Sequence, residues 1–235
     1  MRRTSNIHLR QLPLTQTEVG FYLSRCENTN QIYHSDNSSA KRLFDIILAI
    51  CTLVAVAPLL ALVALIIRLE SPGPILFSQL RFGRGKQLFR LWKFRTMKVV
   101  SADASGAQRT LAWDPRVTRV GRFLRRTSID ELPQLFNVLA GHMSLVGPRP
   151  HTPHMRVGET YFFEAVSNYH MRHVIRPGLT GWAQVNGSRG EVDTLEKACR
   201  RVELDLWYVD NRSALLDLKI MVRTVLGGFL SLRAD

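Results

Sequence analysis

The sequence lacks the short motifs that identify several common classes of enzyme. It has no CxxC or HExxH pair, no GxxxxGKS/T phosphate-binding loop and no GxGxxG turn. Its three cysteines, Cys26, Cys51 and Cys199, lie far apart in the chain. An odd and scattered set argues against a disulfide framework and a zinc site, and it is typical of a reducing compartment.

Acidic residues are also scarce. The 235 residues include 19 Asp and Glu against 32 Lys and Arg, which gives a formal net charge of +13. The expected partners are therefore anionic: nucleic acid, phosphorylated small molecules or an acidic membrane surface. Few basic residues alternate with aromatic ones outside one short segment, and no nucleic-acid-binding module is recognisable, so we predict no nucleic-acid partner.

The first forty residues are polar and lack the apolar stretch of a secretory signal peptide. We predict that residues 1–40 form a flexible arm. The rest of the chain is long enough, at 46% hydrophobic residues overall, to fold around one core.

Charge is almost absent between Leu43 and Ile67, where Asp45 is the only charged residue. A helix of this length can cross a bilayer. Pro58 lies near the middle and favours a kink, and basic residues flank both ends of the run, so the positive-inside rule gives no orientation. A spanning helix and a helix–break–helix that enters and leaves on the same face both fit these facts.

Two basic segments follow the apolar run. Residues 75–81 and 87–95 flank the glycine-rich turn FGRGK, which predicts a β-hairpin whose second strand carries Arg90, Lys93 and Arg95. The basic residues of this strand form either a solvated face or a face toward phosphate or membrane. In residues 116–128 an arginine recurs every third position, which predicts a helix with a cationic stripe.

Two adjacent carboxylates, Asp130 and Glu131, come directly after that stripe in TSIDELPQLFNVLAG. In a structural interpretation, Ser128 and Glu131 form a capping box for a short helix that starts near Pro133 and stops at Gly141. In a functional interpretation, the two carboxylates hold Mg²⁺, which in proteins typically binds one or two carboxylates and substrate phosphates. The local pattern leaves both open.

Two loops rich in Gly and Pro follow, and each presents an arginine. The first, GHMSLVGPRPHTP, carries Arg149, and the second, RHVIRPGLTGWAQVNGSRG, carries Arg176 and the amide of Gln184. Arginines bind phosphate with two parallel hydrogen bonds, so the loops predict pyrophosphate binding. Residues 193–211 and 214–230 predict two helices, the second of which packs on the core or lies in a membrane interface.

Residues 41–230 resemble the bacterial sugar transferases, the monotopic polyprenyl-phosphate phosphoglycosyl transferases that start surface polysaccharide assembly. The resemblance rests on seven segments in the order of the family. They are KRLFD, the apolar run with its proline, KFRTM, TSIDELPQLFNVLAG, MSLVGPRP, RPGLTGWAQVNG and LDLKI.

The resemblance implies that the enzyme transfers a sugar 1-phosphate from a UDP-sugar to undecaprenyl phosphate and releases UMP. It implies that Asp130 is the nucleophile that forms a covalent aspartyl intermediate and that Glu131 holds Mg²⁺. Arg125, Arg149 and Arg176 match arginines of the family's motifs and are expected to contact phosphate or nucleotide. We add three residues to the expected substrate contacts on the strand and loop patterns above: Lys93, Arg95 and Gln184.

The implied fold is α+β and mostly helical. Residues 41–70 are expected to form a re-entrant membrane helix, and residues 71–235 a cytoplasmic catalytic domain with interfacial amphipathic helices, on the inner membrane of a bacterium. The segments GPRPH and NGSRGEVDTLEK resemble members that transfer glucose or galactose 1-phosphate for exopolysaccharide or capsule. The alternative function is a non-catalytic membrane-anchored scaffold, and the sequence neither requires nor excludes a homodimer.

Overall fold

The computed structural model describes residues 39–98, 114–190 and 192–231. The arm predicted for residues 1–40 therefore lies outside the described residues, except for its last two. The described helices and strands, in chain order, are α1 (Ser39–Glu70), β1 (Leu76–Phe82), β2 (Leu88–Phe94), α2 (Arg119–Thr127), α3 (Gln134–Leu139), β3 (Ser144–Val146), β4 (Arg156–Val157), β5 (Thr160–Tyr161), α4 (Phe162–Ala165), β6 (Gly178–Thr180), α5 (Trp182–Val185), α6 (Leu195–Asn211) and α7 (Ala214–Ser231). The prediction of a mostly helical α+β fold is confirmed.

The apolar run forms a single helix of 32 residues, α1, which is long and apolar enough to cross a membrane. Most of its large apolar side chains are exposed, Leu43, Val54 and Leu69 among them. The helical structure continues through Pro58 without a non-helical residue; a proline in this position favours a kink. A proline inside a helix removes one backbone hydrogen bond, and neighbouring turns can carry the helix past it.

Both ends of α1 pack against the rest of the fold. Near its start, Ala49 is buried in the main hydrophobic core, and the buried carboxylate of Asp45 accepts a hydrogen bond of 2.7 Å from Ser144 Oγ. Near its end, Val63 and Ile67 are buried in a separate cluster with Phe94 and Leu124. The helix is therefore held at two points by elements of one domain.

The predicted hairpin is confirmed. Strands β1 and β2 pair antiparallel from Leu76 opposite Phe94 to Phe82 opposite Leu88. The turn between them includes Gly85 at φ +59°, a left-handed conformation that glycine adopts without strain. Asn137 on α3 then fixes the hairpin to the core, because its side chain accepts from the Trp92 amide and donates to the Arg90 carbonyl.

The main core lies between α1, β2, α3 and the ends of α6 and α7, where Val138, Met143 and Ile220 are fully buried. Two three-residue strands, β3 and β6, pair parallel beside this core. They place the loops that follow Val146 and precede Gly178 next to each other. A smaller cluster around Phe162, Tyr169 and Val202 packs α6 against α4 and the short β4–β5 pair.

Helix α7 does not bury its stripe of apolar residues, which includes Leu215, Leu218, Val222 and Val225. Its inward residues are Asp217 and Ile220, whereas the stripe is exposed, with Leu215 at 78% and Val225 at 60% of full exposure. Exposed apolar side chains along one helix favour an interface with lipid over a core-packing face. The interfacial alternative is therefore the better interpretation of this helix.

Candidate active site

The two carboxylates lie on a 3-10 turn, Ile129–Glu131, between α2 and α3. Helix α2 ends at Thr127, and the cap residue Ser128 that follows has a left-handed backbone with φ +59°. The predicted capping box is wrong, because the Ser128 side chain makes no capping hydrogen bond and instead accepts one of 2.8 Å from Arg189 Nη2. The predicted short helix is confirmed, and Gly141 follows it at φ +85°.

Glu131 is held between two cations. Lys93 Nζ donates to Glu131 Oε1 at 2.7 Å, and Arg149 donates to both carboxylate oxygens, with Nη1 at 3.0 Å from Oε2. Burial alone would raise the pKa of Glu131, but the charges of Arg149 and Lys93 outweigh it and hold the pKa well below its ordinary value. Glu131 is therefore ionised at neutral pH.

Asp130 is adjacent in the chain but has a different environment. Its side chain is buried, with 6% exposed, and no described residue donates a hydrogen bond to its carboxylate. Burial, with a smaller contribution from the charge of Glu131, raises the pKa of Asp130 to about 6, against the charges of Lys93, Arg125 and Arg149. A buried carboxylate without a fixed partner near cations is typical of a catalytic group.

Arg125 reaches the same site from helix α2. Its Nε donates to Thr96 Oγ1 at 2.8 Å, and its charge acts on Asp130. The structure thus brings together five of the residues that the sequence predicted for the site: Lys93, Arg125, Asp130, Glu131 and Arg149.

The other predicted contacts lie elsewhere. Arg95 is buried and donates to the carbonyls of Ile67, Ser71 and Pro72. It closes the end of α1, which supports a structural role rather than the substrate contact that we expected. Arg176 Nε donates to the Gly141 carbonyl at 3.0 Å. The dyad precedes α3 and Gly141 follows it, so Arg176 contacts the chain at the opposite end of this helix.

Gln184 on α5 has a side-chain oxygen that is buried without a partner among the described residues. None of the described contacts joins it to the dyad. The residues Thr96, Arg172 and Arg189 contact the site or its loops and were missed by the sequence analysis. Only the arginine in the NGSRG turn gave a local signal, since a basic residue in a Gly-rich loop is a common anion contact.

The dyad offers few open protein ligands to the Mg²⁺ ion that the resemblance implies. No group of three His, Cys, Asp or Glu side chains among the described residues could hold a metal. Asp130 and Glu131 supply one carboxylate without a partner and one carboxylate bound by two cations. Mg²⁺ keeps water and substrate-phosphate ligands and needs only one or two carboxylates, so this donor set suits an ion shared with a diphosphate.

Comparison with known proteins gives consistent matches. A model of the family described as bacterial sugar transferase matches residues 36–231. The chain is 54% identical over 185 residues to an undecaprenyl-phosphate glucose phosphotransferase of Komagataeibacter xylinus, a match that covers 79% of this chain and 35% of that protein.

Two further relatives are equally informative. The UDP-glucose:undecaprenyl-phosphate glucose-1-phosphate transferase of Escherichia coli (strain K12) is 50% identical over 195 residues, which cover 83% of this chain and 41% of that protein. The exopolysaccharide production protein PSS of Rhizobium leguminosarum bv. phaseoli is 50% identical over 185 residues, which cover 79% of this chain and 92% of that protein. The matches thus span well under half of two relatives and nearly all of the third.

Proposed function

The chain belongs to the bacterial sugar transferase family, and on this premise we propose that it transfers a sugar 1-phosphate from a UDP-sugar to undecaprenyl phosphate. The observation that carries the proposal is the unequal pair of carboxylates. Asp130 is buried without a hydrogen-bond partner among the described residues, and Glu131 is bound by Lys93 and Arg149. One carboxylate has no fixed partner and can react, and the other is ionised and already binds two cations.

In the first half of the reaction, a carboxylate oxygen of Asp130 attacks the β-phosphorus of the UDP-sugar. The bond between that phosphorus and the bridging oxygen breaks, and UMP leaves with the electron pair. The product on the enzyme is a sugar phosphate joined to Asp130 as an acyl phosphate. A covalent intermediate divides one difficult transfer into two easier steps.

The cations around the dyad suit the charge that develops during this step. Lys93, Arg125 and Arg149 all act on the Asp130 carboxylate, so they lie where a diphosphate would approach it. Positively charged groups fixed beforehand stabilise charge on a transferring phosphoryl group without further reorganisation. Mg²⁺, when bound by Glu131 and the diphosphate, would supply additional neutralisation of that charge.

In the second half, an oxygen of undecaprenyl phosphate attacks the same phosphorus, and the Asp130 carboxylate leaves. The product is undecaprenyl diphosphate sugar, and the enzyme returns to its starting state. Phe123 on α2 and Phe136 on α3 are exposed on the two helices that flank the dyad. Exposed aromatic groups next to the turn support a site close to the lipid surface.

We propose glucose as the transferred sugar, with galactose as the second choice. The names of two of the relatives above specify glucose, whereas galactose rests on the resemblance of the GPRPH and NGSRGEVDTLEK segments alone. The relative from Rhizobium is named for exopolysaccharide production, which supports a role in the first membrane step of exopolysaccharide or capsule assembly.

The proposed path of α1 through the membrane is re-entrant. Asp45 and Ile67 are separated by about 33 Å along a straight helix, slightly more than the roughly 30 Å hydrocarbon core of a bilayer. Yet both residues pack against elements of the same domain. A spanning helix would place them on opposite faces, so the double attachment supports a helix that bends near Pro58 and returns to the cytoplasmic face of the inner membrane.

The experiment that tests the proposed function is UMP release from a panel of UDP-sugars, with Mg²⁺ and undecaprenyl phosphate. We expect release from UDP-glucose by the wild type and none by Asp130→Asn, with undecaprenyl diphosphate glucose as the lipid product. Release from no UDP-sugar by a folded, membrane-bound wild type would contradict the proposal and favour a non-catalytic scaffold.

A further inference from the structure

The segment that presents Arg149 is held by its backbone. Four successive carbonyls each accept a hydrogen bond: Pro148 from the Gly178 amide, Arg149 from Arg172 Nη2, Pro150 from Arg81 Nη1 and His151 from the Phe82 amide. The lengths range from 2.7 to 3.2 Å. Prolines at positions 148 and 150 also fix φ on both sides of the arginine. The main chain around Arg149 is thus fixed on both sides of this residue.

One of these four donors, Arg172, is a charged side chain that is buried. Arg172 is buried, with 1% of its side chain exposed, and its Nη2 donates 2.7 Å to the Arg149 carbonyl. The same guanidinium donates twice to Asp205 Oδ2, from Nε at 3.0 Å and from Nη2 at 2.6 Å. Asp205 lies on α6 and is itself 2% exposed. The carboxylate therefore fixes the direction in which the guanidinium points.

A buried ion pair is a costly way to stabilise a fold. Replacing such a pair by apolar residues of similar volume is often neutral or stabilising, because both charges must leave water. The Arg172 guanidinium lies beside the smaller cluster, 5.4 Å from the Tyr169 ring centre, and the charge of Arg201 also acts on Asp205. Apolar residues would fill this position as well. Apolar residues would not supply a hydrogen-bond donor to the Arg149 carbonyl.

We propose that Arg172, oriented by Asp205, is a positioning residue that sets the placement of Arg149 at the dyad. The inference rests on the proposed function for its effect on catalysis, but the placement itself does not. Arg149 reaches Glu131 with both terminal nitrogens, so a shift of its main chain changes a contact of the reacting site.

Helix α6 serves a second loop in the same manner. Arg201, one turn before Asp205, donates to the carbonyls of Ser188 and Gly190. These carbonyls flank Arg189, which binds Ser128 at the start of the dyad turn. In both loops a buried arginine donates to a main-chain carbonyl at or next to an arginine that contacts the dyad turn. This repetition supports a positioning role for the buried charged residues Arg201 and Asp205 of α6.

The test uses a variant that removes both charges together. Arg172→Met alone would leave Asp205 buried without a partner and is expected to unfold, so it is combined with Asp205→Leu. We expect the double variant to keep the wild-type melting temperature within a few degrees and to lose about 10- to 100-fold in kcat/KM for UDP-glucose, mostly in kcat, because small misplacements of a catalytic group cost that much. Tyr208→Phe on α6 is the control, since it removes buried hydrogen bonds to Asp217 on α7 and to the Val146 carbonyl but leaves the four donors to the carbonyls of residues 148–151 in place.

A double-mutant cycle separates positioning from a general structural effect. If Arg172 acts through Arg149, adding Arg172→Met and Asp205→Leu to an Arg149→Lys enzyme lowers kcat/KM little further. The fold-losses in kcat/KM of the two changes then do not multiply. Effects that multiply fully, or a double variant with wild-type kcat/KM, would overturn the proposal.

Hydrogen exchange provides a readout that does not depend on activity. The amides of Gly178 and Phe82, which donate to the carbonyls of Pro148 and His151, are expected to exchange faster in the double variant than in the wild type and Tyr208→Phe. Unchanged exchange at these two amides would overturn the proposal. A wild type that releases no UMP, but whose double variant shows the faster exchange, would instead contradict the proposed function alone.

Discussion

At the scale of single residues, the two carboxyl groups of the dyad have pKa values that are shifted in opposite directions. The Asp130 carboxylate is desolvated by burial and has no described hydrogen-bond donor, so its pKa is raised to about 6. The Glu131 carboxylate accepts from Lys93 and Arg149, whose charges hold its pKa low. Neighbouring carboxyls with separated pKa values commonly have different roles, which agrees with one nucleophile and one cation-binding group.

The raised pKa of Asp130 predicts an acid limb in the pH profile. Only the ionised carboxylate attacks phosphorus, so kcat/KM is expected to rise with pH and to level off above about 6. At pH 5 we expect activity about tenfold below the plateau, as for a single group that titrates near 6. The measurement is initial UMP release between pH 4.5 and 8.5. A flat profile down to pH 5 would show that Asp130 ionises at its ordinary pKa or does not act as the nucleophile.

The same burial predicts that Asp130 destabilises the folded protein at neutral pH. The pKa is higher in the folded than in the unfolded state, so the folded state holds the proton more tightly, and stability decreases as pH rises from 3.8 to about 6. We expect Asp130→Asn to be more stable than the wild type by roughly 1–3 kcal/mol at pH 7.

The stability difference is checked by thermal unfolding of both proteins in nanodiscs at pH 5 and pH 7. The variant's advantage should be larger at pH 7, where the wild-type carboxylate is ionised. A variant that is less stable than the wild type at pH 7 would contradict a buried, unpaired carboxylate.

Part of the site followed from residue types and spacing. The stiff loop with Arg149 indicated phosphate binding locally, whereas the roles expected of Arg125 and the dyad came from the resemblance to the family, because the local pattern fitted a helix cap equally well. Arg172 and Asp205 were not accessible from the sequence, because they are 33 positions apart and meet only in the folded core. For Arg95, a basic residue on a predicted strand suggested a substrate contact. The sequence did not show that its partners are the backbone carbonyls at the end of α1.

At the scale of elements, helix α2 is fixed by one glycine. The backbone of α2 passes so close to the end of β2 that a Cβ at Gly121 would lie 2.1 Å from the Thr96 carbonyl oxygen. Thr96 also accepts from Arg125 through its hydroxyl. The close approach of helix and strand therefore determines where Arg125 stands relative to Asp130.

Gly121→Ala is expected to be destabilising by about 1–3 kcal/mol, because the added methyl must push α2 away from a backbone atom. Activity should decrease with it. The matched control is Gly227→Ala on α7, where a Cβ meets nothing within 4 Å and the change should stabilise the helix by up to about 1 kcal/mol. Circular dichroism melts of the two variants give the comparison. Equal stabilisation in both would show that α2 does not pack as closely as described.

The elements differ in how well local patterns predicted them. The hairpin was predictable because a glycine-rich turn between two short segments rich in apolar and aromatic residues is a local signal. The parallel pair β3 and β6 was not, since each strand has three residues and its partner is more than thirty positions away. Pro58 predicted a kink in α1, and the helical structure continues through this residue, so the local pattern located the proline correctly within one long helix.

At the scale of the whole molecule, apolar surface is concentrated on particular elements. Helix α1 exposes most of its length, and α7 exposes the stripe that includes Leu215 and Val225. A protein in water rarely exposes so many large apolar groups along its helices. With the excess of positive charge, this surface supports attachment to an anionic membrane from one side.

The re-entrant path predicts that both ends of α1 are accessible from the same face of the membrane. Single cysteines would be introduced at Ala40 and at Leu69, which is 76% exposed, after replacing Cys26, Cys51 and Cys199 by serine. We expect an impermeant thiol reagent to label both positions in inverted vesicles and neither in intact spheroplasts. Val54→Cys, within the apolar run, is the control and should resist labelling on both sides. Labelling of the two ends from opposite faces would establish a spanning helix.

The most direct test of the central claim is the intact mass of the enzyme after mixing with UDP-glucose and Mg²⁺ in the absence of undecaprenyl phosphate. We predict that the wild type gains the mass of one glucose phosphate, that added undecaprenyl phosphate removes it, and that Asp130→Asn gains nothing. Lipid-dependent UMP release without any adduct on the wild type, or the same adduct on Asp130→Asn, would contradict Asp130 as the covalent nucleophile.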